Sequence, residues 1–143
     1  MINIQMIKTI DMKHMRYINL FEKVSGVHPK HCFVYNSAIV FVVPKDMLAK
    51  VIRDSGRDLK KMSEILGRKI KVAILPNGLE DAEEFISAIV HPVQIKSIEV
   101  KDDLLIINAG PQNKAILIGR NKARLEEMKP IVKSYFGKEI RIV

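Results

Sequence analysis

The residues best suited to chemistry in this 143-residue chain are cations gathered at two short polar corners. Arg53, Asp54, Ser55, Gly56 and Arg57 form the first, with Lys60 and Lys61 just beyond; Gly119, Arg120, Asn121, Lys122 and Arg124 form the second, 66 positions on. Each corner follows an apolar stretch with helical spacing (Met47 to Ile52, Asn113 to Ile118) and precedes a second such stretch. Cations beside main-chain amides at a corner between two helices make a site for phosphate groups. Two copies point to a chain that holds an extended nucleic-acid strand rather than one that turns over a small substrate.

Catalytic chemistry finds little support. The histidines are His14, His28, His31 and His91, and no pair has a metal-ligand spacing. His31 and Cys32 are adjacent, which sends their side chains to opposite faces of a strand. There is no phosphate-binding Walker loop, nucleophile elbow or dinucleotide glycine signature. Glu80, Asp81, Glu83 and Glu84 are close together, but acids there suit a first helical turn, where they complement the helix dipole. The expectation is a non-enzyme with no cofactor, no metal and no small-molecule substrate.

The net charge is +8 and the sequence pI about 9.6. Residues 1–76 hold 14 Lys and Arg against 6 Asp and Glu, whereas residues 77–143 hold 10 of each, so the excess lies in the first half. The second half concentrates its cations: Lys114, Arg120, Lys122 and Arg124 occur with no acid between 114 and 124. Such a surface suits a polyanion. The single cysteine, Cys32, excludes an internal disulfide framework and sits in an apolar run as a small buried hydrophobe. No stretch approaches the length of a membrane-spanning helix, and the first residues lack the pattern of a secretory leader. A cytoplasmic protein without a membrane partner is expected.

The elements that must position the corners follow from periodicity. Ile2 to Ile7 alternates as a short strand. Residues 11–25 have helical spacing, with Met15, Ile18, Leu20, Phe21 and Val24 on one side. Cys32 to Tyr35 and Ala38 to Val43 form a hairpin about Asn36-Ser37. Helices over about 45–53 and 57–66 flank the first corner, the latter burying Leu59, Met62, Ile65 and Leu66, and Ile70, Val72 and Ile74 mark a closing strand. Pro76-Asn77-Gly78 is the best boundary, giving units 1–76 and 77–143. The second half repeats the plan: a helix through Phe85, Ile86, Ile89 and Val90, strands over 93–100 and 104–108, helices on both sides of the second corner, and a strand over 139–143. Pro130 predicts a kink or break in the last helix. The fold class is α+β, with each half in the order αββααβ.

That order, with a polar corner between the two central helices, resembles the KH domain of prokaryotic type (type II), in which a G-x-x-G turn follows an apolar pair. The pairs in this sequence are Val51-Ile52 and Leu117-Ile118. Supporting stretches are Tyr17 to Val27, Cys32 to Asn36, and Leu66-Gly67-Arg68-Lys69-Ile70. The tandem arrangement resembles the KH pair of NusA-type transcription elongation and termination factors, in particular the short archaeal form, over nearly the whole chain. The resemblance implies a three-stranded sheet packed on helices in each half and a groove for about four unstacked nucleotides of single-stranded RNA per domain. It also implies a role in transcription elongation and termination, with RNA polymerase as a protein partner.

Both corners depart from the family pattern. The first reads Arg53-Asp54-Ser55-Gly56, without the opening glycine; the second reads Gly119-Arg120-Asn121-Lys122, without the closing one. Asp54 puts a negative charge where phosphate belongs, unless Arg53 or Arg57 neutralises it. The second corner, where Arg120, Lys122 and Arg124 face no opposing acid, is the stronger RNA contact. Val51, Ile52 and Leu59, and Leu117, Ile118 and Leu125, are the candidate groove residues. Lys60, Lys61, Arg68 and Lys69 are further phosphate contacts. The rival readings are a KH-fold protein-interaction scaffold and a factor in ribosome assembly or RNA processing.

Overall fold

The computed structural model describes residues 12–143, so the strand expected over Ile2 to Ile7 lies outside the described residues. The chain divides between Leu75 and Pro76 into two compact units. Each has mixed α and β structure around a three-stranded sheet.

In the first unit, helix α1 (Met12–Ser25) leads into strands β1 (His31–Tyr35) and β2 (Ala38–Val43). These pair antiparallel about Asn36 and Ser37, both left-handed at φ 50° and 64°. The run Ala-Ile-Val-Phe-Val-Val of β2 is buried at every position, which is what a central strand of β-branched residues requires. A 3-10 turn over Lys45–Met47 opens the short helix α2 (Leu48–Val51), helix α3 (Arg53–Leu66) follows, and strand β3 (Ile70–Ile74) closes the sheet. β3 lies parallel to β2, with Ile39 opposite Ile70 and Val43 opposite Ile74. Parallel neighbours need a crossover, and here the crossover is the helix–corner–helix itself. Phe21 on α1 and Phe41 on β2 meet with ring centroids 4.3 Å apart in a core completed by Tyr17, Val27, Cys32, Ile39, Val43, Val51 and Met62.

The second unit starts with a 3-10 turn over Leu79–Asp81 and helix α4 (Ala82–Val90), whose first turn carries Glu83 and Glu84. Strands β4 (Ser97–Lys101) and β5 (Leu104–Asn108) pair antiparallel. Helix α5 (Pro111–Ile118), a 3-10 turn over Arg120–Lys122 and helix α6 (Ala123–Phe136) form the crossover to strand β6 (Glu139–Ile142), parallel to β5. Phe85 packs against Tyr135 and Phe136, with centroids 4.6 and 5.9 Å away. Ile86, Ile89, Leu105, Ile107, Met128, Ile131 and Val132 are buried.

Several expectations are corrected. Pro130 does not break its helix: α6 runs from Ala123 to Phe136. Met128, Ile131 and Val132 around it are buried, and that packing holds the helix despite the missing donor. On α1, Phe21 is buried together with Tyr17 and Ser25, and Ile18, Leu20 and Val24 pack against that core as expected, but Met15 is half exposed. On α3 the four-residue spacing of Asp58, Met62 and Leu66 faces inward, which leaves Ile65 at the edge of the stripe and exposed. The strand expected from Val93 begins only at Ser97, because the amide of Val93 turns back to donate to Val90 O at 2.9 Å.

Candidate nucleic-acid interface

The two corners occupy matching places in the two units, yet their backbones differ. In the first, Asp54, Ser55 and Gly56 are all left-handed, at φ 54°, 57° and 79°. In the second, Gly119 sits at φ 78° and ψ 170°, and Asn121 and Lys122 are left-handed at φ 56° and 62°. This explains which glycine each corner keeps. A Cβ on Gly119 would fall 2.9 Å from the backbone nitrogen of Arg124 and 2.8 Å from its Cγ, so only glycine fits there. Arg53 stands at the equivalent place with no positive φ, and the first corner therefore tolerates a side chain. A Cβ on Gly56 would meet only open space, but this residue needs its positive φ, which Lys122 adopts at its own position in the other corner. A left-handed residue other than glycine costs about 1–2 kcal/mol. That strain is retained at Asp54, Ser55, Asn121 and Lys122.

The residues of both corners lie at the surface. Arg53, Asp54, Ser55, Arg57, Lys60 and Lys61 are exposed or half exposed and Gly56 half buried; Arg120, Asn121 and Lys122 are exposed, and Gly119 and Arg124 half buried. The first corner is laced internally. Arg57 Nη2 lies 3.2 Å from Asp54 Oδ2, so Arg57 neutralises that acid. Arg53 Nε lies 3.4 Å from Asp58 Oδ2, and Arg57 Nε 4.0 Å from Asp58 Oδ1. Asp54, Arg57, Lys60, Lys61 and Glu64 line a shallow depression of about 400 Å³. The structure thus brings Arg57, Lys60 and Lys61 together, while Arg53 is drawn towards Asp58.

The second corner is arranged differently. Arg124 Nε pairs with Glu127 Oε1 at 3.1 Å, one helical turn along α6, which corrects the expectation that it faces no acid. Arg120 and Lys122 form no ion pair among the described residues. The amides are partly committed: Gly56 N donates to Ile52 O, Gly119 N to Ala115 O and Lys122 N to Gly119 O, at 3.0 to 3.1 Å. Exposed charge, more than the amides of Gly119 and Lys122, is what the second corner offers a polyanion.

Among the groove candidates, Val51 and Leu117 are buried, Leu59, Ile118 and Leu125 half buried, and Ile52 exposed. Arg68 is drawn away from any phosphate role: its Nε and Nη2 donate to Ser37 O at 3.1 and 2.9 Å and its Nη1 reaches Tyr17 Oη at 3.4 Å, clamping the β1–β2 turn. No group of three His, Cys, Asp or Glu residues is placed to hold a metal ion among the described residues. No helix there is long and apolar enough to cross a membrane.

Comparison with known proteins bears on this arrangement. No protein-family profile matches the chain. Three archaeal proteins, each named probable transcription termination protein NusA, align along most of it. The one from Methanococcus vannielii is 28% identical over 131 residues, covering 88% of this chain and 74% of the relative. Those from Thermoplasma acidophilum and Halococcus morrhuae are 24% and 21% identical, each covering 90% of this chain and 90% and 92% of theirs. The chain is NusA-like. The crystal structure of APE1850 has the same overall fold, with a TM-score of 0.65 at 26% identity, covering 94% of this chain and 100% of that one.

Sequence reasoning missed Asp58 and Glu127 in this NusA-like chain. Both are legible as acids close in sequence to a corner cation, and Glu127 stands at the three-residue spacing from Arg124 at which helix geometry brings side chains together. Their spacing to Arg53, Arg57 and Arg124 is the available signal.

Proposed function

We propose that the chain is a single-stranded-RNA-binding, non-catalytic protein of two type II KH units, acting on nascent transcript in elongation or termination, with RNA polymerase as a protein partner. The order αββααβ in each unit, with a helix–corner–helix crossover between parallel strands, supports the KH reading. The names carried by the archaeal relatives support the transcription role. The single observation that carries the RNA reading is the pair Arg120 and Lys122: two exposed cations, with no ion-pair partner among the described residues, at the tip of a corner. Phosphates of a flexible strand can reach both, and each phosphate neutralised releases counterions.

The test is a titration of short single-stranded RNA against the whole chain across a range of salt. Wild type is expected to bind with a log–log salt slope of about −0.7 for each phosphate contacted. Arg120→Glu with Lys122→Glu is expected to reduce affinity at least tenfold while the thermal melt stays in place. Unchanged affinity in this variant would show that the second corner is not the contact, and a wild type that does not bind RNA would transfer the case to the scaffold reading, in which the fold is kept without RNA.

A further inference from the structure

The first corner carries an internal competitor for phosphate. Asp58 occupies the position that Arg124 holds in the other unit, 66 residues on. Its side chain is only 7% exposed, and its Oδ2 has no hydrogen-bond partner among the described residues. The Arg53 guanidinium at 3.4 Å is an ion-pair contact outside hydrogen-bond geometry. A carboxylate withdrawn from water with an unsatisfied oxygen attracts whatever cation is near. Arg53 and Arg57 both lie within ion-pair reach of it, and Asp54 takes the other end of Arg57. Two arginines are thereby set against two carboxylates, and the tip of this corner is electrically neutral. The tip of the second corner keeps the charges of Arg120 and Lys122, because the charge of Arg124 is matched by Glu127.

We propose that Asp58 is an internal stand-in for RNA phosphate, which holds Arg53 and Arg57 in the protein and makes the two units grip a strand unequally. This rests on the RNA-binding reading above. A phosphodiester arriving at the first corner has to displace a carboxylate already in place, so it gains little and releases few counterions. At the second corner nothing has to be displaced. Affinity and salt dependence then come from the second corner, while the first offers the strand a neutral surface and the lysines 60 and 61 beside it. The residue that sets this inequality is the buried Asp58.

The experiment compares wild type, Asp58→Asn, Asp54→Asn and the Arg120→Glu/Lys122→Glu pair in the full chain, using fluorescence anisotropy of a labelled single-stranded oligoribonucleotide at several salt concentrations. Asp58→Asn keeps the shape and removes the charge. It is expected to bind about fivefold tighter at low salt, the factor equivalent to one favourable surface ion pair, with a slope steeper by about 0.7 for each arginine released. Asp54→Asn leaves a residue that tolerates the left-handed backbone and releases Arg57 from one of its two carboxylates, and a gain of about twofold is expected. Should Asp58→Asn fail to fold, Asp58→Ser, which also removes the charge, takes its place: a gain supports the proposal, and no gain overturns it. If wild type binds RNA and neither asparagine variant gains affinity or slope, the proposal falls and the RNA reading stands. If neither wild type nor any asparagine variant binds, both fall.

Discussion

The backbone nitrogen of Arg124 lies where a Cβ on Gly119 would come within 2.9 Å of it. The second corner is closed by this approach of α6 to the end of α5, and the glycine is obligatory for two reasons, the contact and the φ of 78°. Gly56, in the first corner, meets only the second of these demands. Gly119→Ala should therefore destabilise the chain by about 2–4 kcal/mol, since backbone must move as well as adopt a strained φ, and Gly56→Ala by about 1–2 kcal/mol. Urea unfolding monitored by circular dichroism measures both. Equal losses, or a larger loss for Gly56→Ala, would mean that the Gly119–Arg124 approach is not a tight one.

Lys122 separates stability from binding. It holds a left-handed φ of 62° that glycine adopts without strain. Lys122→Gly should raise stability by about 0.5–1 kcal/mol and at the same time make the RNA salt slope shallower by about 0.7. A chemical melt and an RNA titration on one preparation test the two opposed effects. A variant that lost stability as well as affinity would show that the lysine stem, not its charge, is what the corner needs.

How much of the fold and of the corners is legible in the sequence depends on the range of the interaction concerned. Ala38 to Val43 announces a central strand because six buried residues in succession leave no polar alternative. The repeat discloses the corners because both copies keep an apolar pair, a polar tip and a basic helix. What periodicity does not resolve is a matter of tertiary choice. Arg68 is a lysine-like surface cation by composition, and only the fold brings Ser37 O and Tyr17 Oη to its guanidinium. Arg124 looks unopposed when acids are counted only up to the corner, and Glu127 comes after it. Ile65 differs from Leu66 by one position on a stripe whose edge is set by how α3 rolls on the sheet.

Pro130 is the sharpest disagreement between local propensity and the folded helix. Proline inside α6 removes the amide that would donate to Glu126 O, yet the helix continues beyond it to Phe136. Buried Ile131 and Val132 anchor that last stretch. Since the backbone already follows a helical path, Pro130→Ala should restore the missing bond without rearrangement and raise stability by about 1–3 kcal/mol. The melting temperature reports it, and an unchanged or lower value would show that the proline ring contributes packing that offsets the lost bond.

Tyr135 provides a pH signature of the second unit. Burial, in a site where its ring packs against Phe85, raises its phenol well above the ordinary value of 10.0. The ionised form is the one disfavoured by the folded state, so the folded chain holds its proton where the unfolded chain releases it. Stability from this group is therefore complete below pH 10 and is lost progressively as pH rises above it. Urea midpoints measured from about pH 9 to about pH 11.5 should fall more steeply in wild type than in Tyr135→Phe, and absorbance titration at alkaline pH should find one tyrosine ionising only as the protein unfolds. Parallel declines in the two proteins would mean that Tyr135 reaches water in the native state and that its packing against Phe85 is looser than a 4.6 Å ring separation implies.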